Sequence, residues 1–239
     1  MKNKKMNLLL ILGAILMQRL LYQSMGFELY KFPFASSLMV FESEKGNLLL
    51  LLYAFVPIPF ILFELSGRGQ ELTEGYGKLW MIRSYKREWL CLKIIKNIAL
   101  KLLAIVVFAT LIFFVGAEKW KNITFRQVVL IIMAYYMGLM AVVLLQFYLE
   151  FFVDPGYANV IVNVFFILSL FIGNSVIISD KISWLGIILF PNMMFGTRNG
   201  MIFQQNIDIN YAHVILYLIV VFVMLCVLSV LKFRKKDIF

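Results

Sequence analysis

Six apolar segments of membrane-spanning length alternate with polar connections along this chain, at 8–24, 48–65, 98–117, 128–149, 159–178 and 211–231. A helix needs about 20 apolar residues to cross the roughly 30 Å hydrocarbon core. A backbone in lipid must also satisfy its own amide groups, so these segments are expected to be helices. Together they take up about half of the 239 residues, which leaves no room for a separate soluble domain. Composition agrees: 62% of residues are apolar and only 15% charged, where a soluble domain carries about a quarter charged. The expectation is an all-α membrane protein, a single transmembrane domain over 1–239 with six transmembrane helices.

A net charge of +10 raises the question of a nucleic-acid partner, and the placement of the charge answers it. Lys2, Lys4 and Lys5 precede the first segment, Lys232, Arg234, Lys235 and Lys236 follow the last, and seven more basic residues lie between the second and third. The connections on the other side hold seven: Lys31, Lys45, Lys119, Lys121, Arg126, Lys181 and Arg198. The asymmetry is that of the positive-inside rule, with both termini cytoplasmic and an even number of spans. No nucleic acid is implied. The N-terminal segment leads into Met17-Gln18-Arg19-Leu20 rather than a small-residue cleavage site, so an uncleaved first span is expected. Cys91 and Cys226 fall in the cytoplasmic stretch and the last span, and neither placement suggests a disulfide.

The charged stretch 64–97 is patterned. Leu72, Tyr76, Leu79, Ile82, Tyr85, Trp89 and Leu92 recur every three or four residues, which predicts one apolar face of a helix. Glu74, Lys78, Arg83, Lys86 and Lys93 fall between them. The glycines of Gly67-Arg68-Gly69 and Gly75-Tyr76-Gly77-Lys78 invite comparison with a phosphate-binding loop. Position 72 is Leu where the first Gly is required, and position 79 is Leu where Ser or Thr is required. The chain is therefore not expected to bind ATP by itself.

Within the spans, Pro57-Ile58-Pro59 should kink or break the second helix. Ala134, Gly138 and Ala141 give the fourth a small-residue face that admits close approach. Asn163 and Asn174 need polar partners inside the bundle. Helix packing, a dimer contact or a pathway lining would each use these residues. The apolar run 182–196, interrupted by Pro191, is too short to span; it is either re-entrant at the outer mouth or rests on headgroups. His213, the one histidine, lacks the partners of a zinc or acid–base site. Glu150 and Asp154 sit in a short inner turn near the membrane surface, and no acidic residue falls at mid-membrane, where an ion-coupled transporter usually needs one.

At the charged stretch the sequence resembles the ABC-2-type permease subunits of ATP-binding-cassette transporters. These have six spans, both termini inside, and a coupling helix between spans two and three that docks on the ATPase. The matching residues are Glu74, Gly75, Leu79-Trp80-Met81-Ile82, Arg83-Ser84-Tyr85-Lys86-Arg87 and Lys93. Ser84 stands where the family usually has Pro, and only seven residues precede the first span, short for the family's elbow helix. The layout and the run Leu189–Gly196 look most similar to small Gram-positive permeases that export epipeptides, modulins or related antimicrobial peptides, or protect against them.

The resemblance implies an ABC-2 (type V exporter-like) fold in the bacterial cell membrane, with a re-entrant outer element before the last helix. It implies coupling to an ATPase through region 66–97, above all Glu74, Tyr76, Leu79, Trp80, Ile82, Arg83, Ser84, Tyr85, Lys86 and Arg87. A second permease copy or paralogue, two ATPase subunits and a peptide substrate complete the assembly. The chain has no catalytic, metal or cofactor site of its own, since ATP and Mg belong to the ATPase. Two other readings stay open. One is an ion-coupled secondary transporter; the other is a stand-alone immunity or interaction protein. The stretch 72–92 also has an alternative, lying on the anionic inner leaflet as basic amphipathic helices do.

Overall fold

The computed structural model describes residues 4–24, 55–73, 87–114, 125–179, 188–195 and 211–235. Among the described residues there is no strand. In chain order the helices are α1 (Lys4–Ser24), α2 (Pro57–Leu65), α3 (Arg68–Thr73), α4 (Arg87–Phe114), α5 (Phe125–Leu149), α6 (Pro155–Ser179) and α7 (Tyr211–Arg234). A short 3-10 helix, Phe190–Met194, precedes α7. By length and composition α4, α5, α6 and α7 can each cross a membrane. The apolar part of α1, Leu9–Leu20, is shorter. Of the second expected span, only 55–65 falls among the described residues.

The faces of these helices explain why the chain needs lipid. On α4, Cys91, Ile95, Ile98, Leu102, Val106 and Ala109 are buried at helical spacing, while Leu100, Leu103, Val107 and Leu111 are exposed. On α7, Val214, Leu218, Val221 and Leu225 are buried, and Leu216, Val220, Val223, Val227 and Leu231 are exposed. Continuous apolar stripes of this extent are not left facing water. Between helices in lipid there is little hydrophobic driving force, so association depends on close van der Waals fit. The helix that supplies it is α5, 61% buried over its span against 28–33% for the other three. Ala134, Leu139, Ala141, Val142 and Leu144 on α5 are all fully buried, and α4, α6, α7 and the 3-10 helix all pack on it.

Specific contacts gather several chain segments at one end of the bundle. The α2 helix runs antiparallel to α6: the Phe55 and Phe166 rings lie 6.1 Å apart, and Ser66 Oγ donates to the Pro155 carbonyl at 3.4 Å. The same end holds the start of α4 and the end of α7, joined by Arg234 Nη1 and Glu88 Oε1 at 3.4 Å. Phe233 stacks on Phe151 of the α5–α6 turn at 5.9 Å. Toward the other end, the Arg19 guanidinium of α1 donates to the Ile112 carbonyl of α4.

The helix is interrupted at Pro57-Ile58-Pro59 as expected: Phe55 is helical, Val56 is a turn, and Pro57 and Pro59 occupy the first turn of α2, where an amide hydrogen would have no intrahelical partner. The helix of the third expected span already runs from Arg87, so the end of the charged stretch forms the first turns of α4. Trp89 and Leu92 are 59% and 49% exposed, whereas Leu90, Cys91 and Ile95 are buried. Trp89 and Leu92 thus share the exposed face of α4, and packing against α5 and α7 sets that helix's buried face.

Candidate functional site

The corner between α2 and α3 lies within the charged stretch, and its backbone dictates what holds it. Ser66 ends α2 in an extended conformation, and Gly67 follows at φ +84°, a left-handed value that favours glycine. The chain then turns into α3, whose first amide hydrogens have no partner in their own helix. Glu150, just past the end of α5, supplies the acceptors. Its Oε1 accepts from the Gly67 amide at 2.8 Å and its Oε2 from the Gly69 amide at 2.7 Å. A carboxylate at a helix N-terminus is favoured both by these bonds and by the local dipole. Gly69 leaves room for it: a Cβ there would stand 2.9 Å from Glu150 Cβ.

One turn earlier on α5, Gln146 completes the clamp. Its Nε2 donates to Glu150 Oε1 at 3.2 Å and to the Leu62 carbonyl at 3.1 Å. Leu62 lies in the last turn of α2, where carbonyls also lack helical partners. Gln146 and Glu150 are 1% and 6% exposed. Burial pushes the Glu150 carboxyl above its ordinary range; the Gly67 and Gly69 amides and Gln146 pull it back, and the Glu71 charge adds to the rise. Around the corner, Arg68 pairs with Glu71 at 2.9 Å, and Lys101 of α4 reaches Glu64 at 4.0 Å. Chemically this arrangement holds a position. Among the described residues no group of His, Cys, Asp or Glu is placed to bind a metal ion.

A second buried polar site lies partway along α5 and α6. The 3-10 helix Phe190–Met194 and Phe195 are buried against α5 and α6. Asn192, fully buried, donates through Nδ2 to the Ser169 carbonyl at 3.0 Å and the Leu189 carbonyl at 3.2 Å. Two glycines make the space: a Cβ on Gly138 would overlap Met194, and one on Gly173 would overlap the Asn192 carboxamide. Phe195 is flanked by Tyr135 at 6.1 Å and Phe166 at 6.4 Å, and Phe190 by Phe165 at 5.6 Å. The Tyr217 hydroxyl of α7 donates to the Ile188 carbonyl at 2.7 Å. Gly138 stands near the midpoint of α5, about 16 Å along the axis from Leu149 at 1.5 Å per residue.

Of the residues singled out in the charged stretch, Arg87 opens α4. Glu74, Tyr76, Leu79, Trp80, Ile82, Arg83, Ser84, Tyr85 and Lys86 lie outside the described residues. Ala134 and Gly138 are buried on α5, but Gly138 admits a Met side chain from the 3-10 helix. Asn163 finds its partner one turn back, donating to the Asn159 carbonyl at 2.9 Å and to Asn159 Oδ1 at 2.7 Å. Asn174 lies in α6. Sequence reasoning did not single out Gln146, Asn192, Gly69 or Gly173 as a site. The signal available was weak: two glycines flanking Arg68, and a Glu in an inner turn 81 positions from Gly69.

A family model described as protein of unknown function, DUF2705, matches residues 11–239, and the chain belongs to that family. It is 24% identical over 216 residues to the uncharacterized protein YybK of Bacillus subtilis (strain 168), with 86% of each chain covered. No solved structure matches it.

Proposed function

We propose that this DUF2705 chain is the membrane-spanning permease subunit of an ATP-binding-cassette transporter. In this reading it exports an antimicrobial or toxin-like peptide, or confers immunity to one. It crosses the bacterial cell membrane six times with both termini inside, α1 and the segment ending in α2 being the first two spans. The insert Phe190–Phe195 is then re-entrant from the outer side. ATP and Mg are handled by separate ATPase subunits, and a second permease copy or paralogue completes the complex.

The observation that carries this reading is the Glu150 clamp, taken with the resemblance at 74–87. A stretch that receives a motor must be fastened to the helices it moves; a stretch lying on the leaflet has no such need. Residues 74–86 leave directly from α3, and α3 is tied through Gly67 and Gly69 to the α5–α6 turn. They return directly into α4, whose start is tied to the end of α7 through Glu88 and Arg234. Displacement of the stretch would thus act on four long helices at one end of the bundle. Apolar Leu79 and Ile82 would fill a groove on the ATPase, and Arg83, Lys86 and Arg87 would fix its orientation by ion pairs.

Affinity purification of the full chain from native membranes tests the class. A stoichiometric cassette ATPase is expected, and Leu79→Asp with Arg83→Glu should weaken its retention by roughly 30-fold or more, the scale of losing an interface hot spot. A chain that purifies alone, or retention and peptide export unchanged in the double variant, would return the secondary-transporter and stand-alone immunity readings to the front.

A further inference from the structure

At the end of the bundle that carries the clamp, three elements meet in a rim: the first turns of α4, the last turn of α7 and the α5–α6 turn. Arg234 on Glu88 joins the first two, and Lys232 joins the second to the third, its ammonium 4.2 Å from the centre of the Phe152 ring. On α4, Lys93 lies 5.3 Å from the Trp89 ring. The rings face outward: Trp89, Phe152 and Tyr157 are 59%, 53% and 69% exposed. Aromatic rings with a cation above them are the side chains that settle at a bilayer's headgroup level.

Depth along the helices places the charges there too. On α4 the exposed face runs Trp89, Lys93, Lys96, Leu100, Leu103, so the cations sit one to two turns before the lipid-facing leucines. On α7 it runs Val227, Leu231, Arg234, Lys235. Acyl chains lying along these apolar faces would bring a lipid's phosphate up to the level of Lys93, Lys96, Lys232, Arg234 and Lys235. Among the described residues of the rim the carboxylates are Glu88, Glu150 and Asp154, against the cations Arg87, Lys93, Lys96, Lys232, Arg234 and Lys235, so the surplus is positive.

We propose that this rim is a binding site for anionic phospholipid, with the headgroup phosphate between the α4 and α7 cations and the acyl chains on the Leu100 and Leu231 faces. A zwitterionic lipid brings its own cation and gains little from the surplus charge. Free phosphate lacks the acyl chains that the adjoining apolar stripes would hold. The site does not depend on the transporter reading, only on α4 and α7 lying in a bilayer.

The test uses the purified, delipidated full chain in neutral detergent. Phosphatidylglycerol, phosphatidylcholine and inorganic phosphate are titrated separately, with binding read by native mass spectrometry and by thermal unfolding. Phosphatidylglycerol is expected to bind more tightly than phosphatidylcholine, and phosphate alone to give no shift. Each rim cation near an anionic surface contributes a factor of about five. Lys93→Gln with Lys232→Gln should therefore cut the preference roughly 25-fold. Arg126→Gln, at the far end of α5, should leave it intact. Equal binding of the two lipids by the unaltered chain would overturn the proposal without recourse to variants. So would an equal effect of phosphate, a loss as large with Arg126→Gln, or a rim whose lipid binding is abolished only by a bound protein partner and is otherwise indifferent to headgroup charge.

Discussion

Replacing Glu150 by Ala removes the acceptor for two amides at once, one buried and one partly buried. Hydrogen bonds to a charged group contribute about 1.5–3 kcal/mol each, and the Gly67 and Gly69 amides accept no substitute without rehydrating the corner. Against this, Ala relieves the cost of burying a carboxylate, so the net loss should be about 3 kcal/mol. At 1.4 kcal/mol per tenfold, that opens α3 roughly a hundredfold more often. Glu150→Gln keeps one oxygen acceptor and places an NH2 against the other amide, so its effect should be intermediate. Hydrogen exchange on the intact protein reads this directly: amides of 66–73 should exchange about 100-fold faster in the Ala variant. Those of the α4–α7 contact around Glu88 and Arg234 should not change. Unchanged exchange at 66–73, or a uniform loss of protection over the whole bundle, would refute the idea that Glu150 is a local fastener.

The two glycines under the 3-10 helix should be intolerant of even a methyl group: Gly138→Ala and Gly173→Ala each overlap a buried side chain. Overpacking of this kind costs about 1–3 kcal/mol, visible as a lowered Tm. Gly156→Ala, whose Cβ meets open space, should leave Tm unchanged. Stability should also carry a pH signature from Glu150. Because burial raises its carboxyl, the folded chain holds that proton more tightly than the unfolded chain. The contribution is full below the ordinary carboxylate range and is lost as pH rises through the raised value. Glu150→Gln should flatten that decline in a Tm-against-pH series, and an unaltered profile would show that the group does not titrate as its burial requires.

How much of this molecule was legible in its sequence differs element by element. The four helices α4, α5, α6 and α7, each long and apolar enough to cross a membrane, announce themselves, because lipid demands long apolar helices that satisfy their own backbone. The small-residue face of α5 was legible for the same reason: Gly and Ala at helical spacing have few other uses in a membrane. What Gly138 admits was not, since Met194 comes from a segment 56 positions later. The apolar periodicity of the charged stretch put Trp89 and Leu92 on one face, and they share the exposed face of α4; which face would be buried was not legible, because that depends on what packs on the helix.

Sequence alone determined that this chain is helical, apolar on its outer faces and asymmetric in charge, since solvent and backbone chemistry act on each segment separately. Only the tertiary structure decided what Gly67-Arg68-Gly69 is for. Read in isolation, the two glycines look like the remnant of a phosphate loop. In the fold, their amides face Glu150, because α5 ends beside the corner where α2 turns into α3. Local sequence can supply donors with no partner; which acceptor answers them depends on which helix end arrives there.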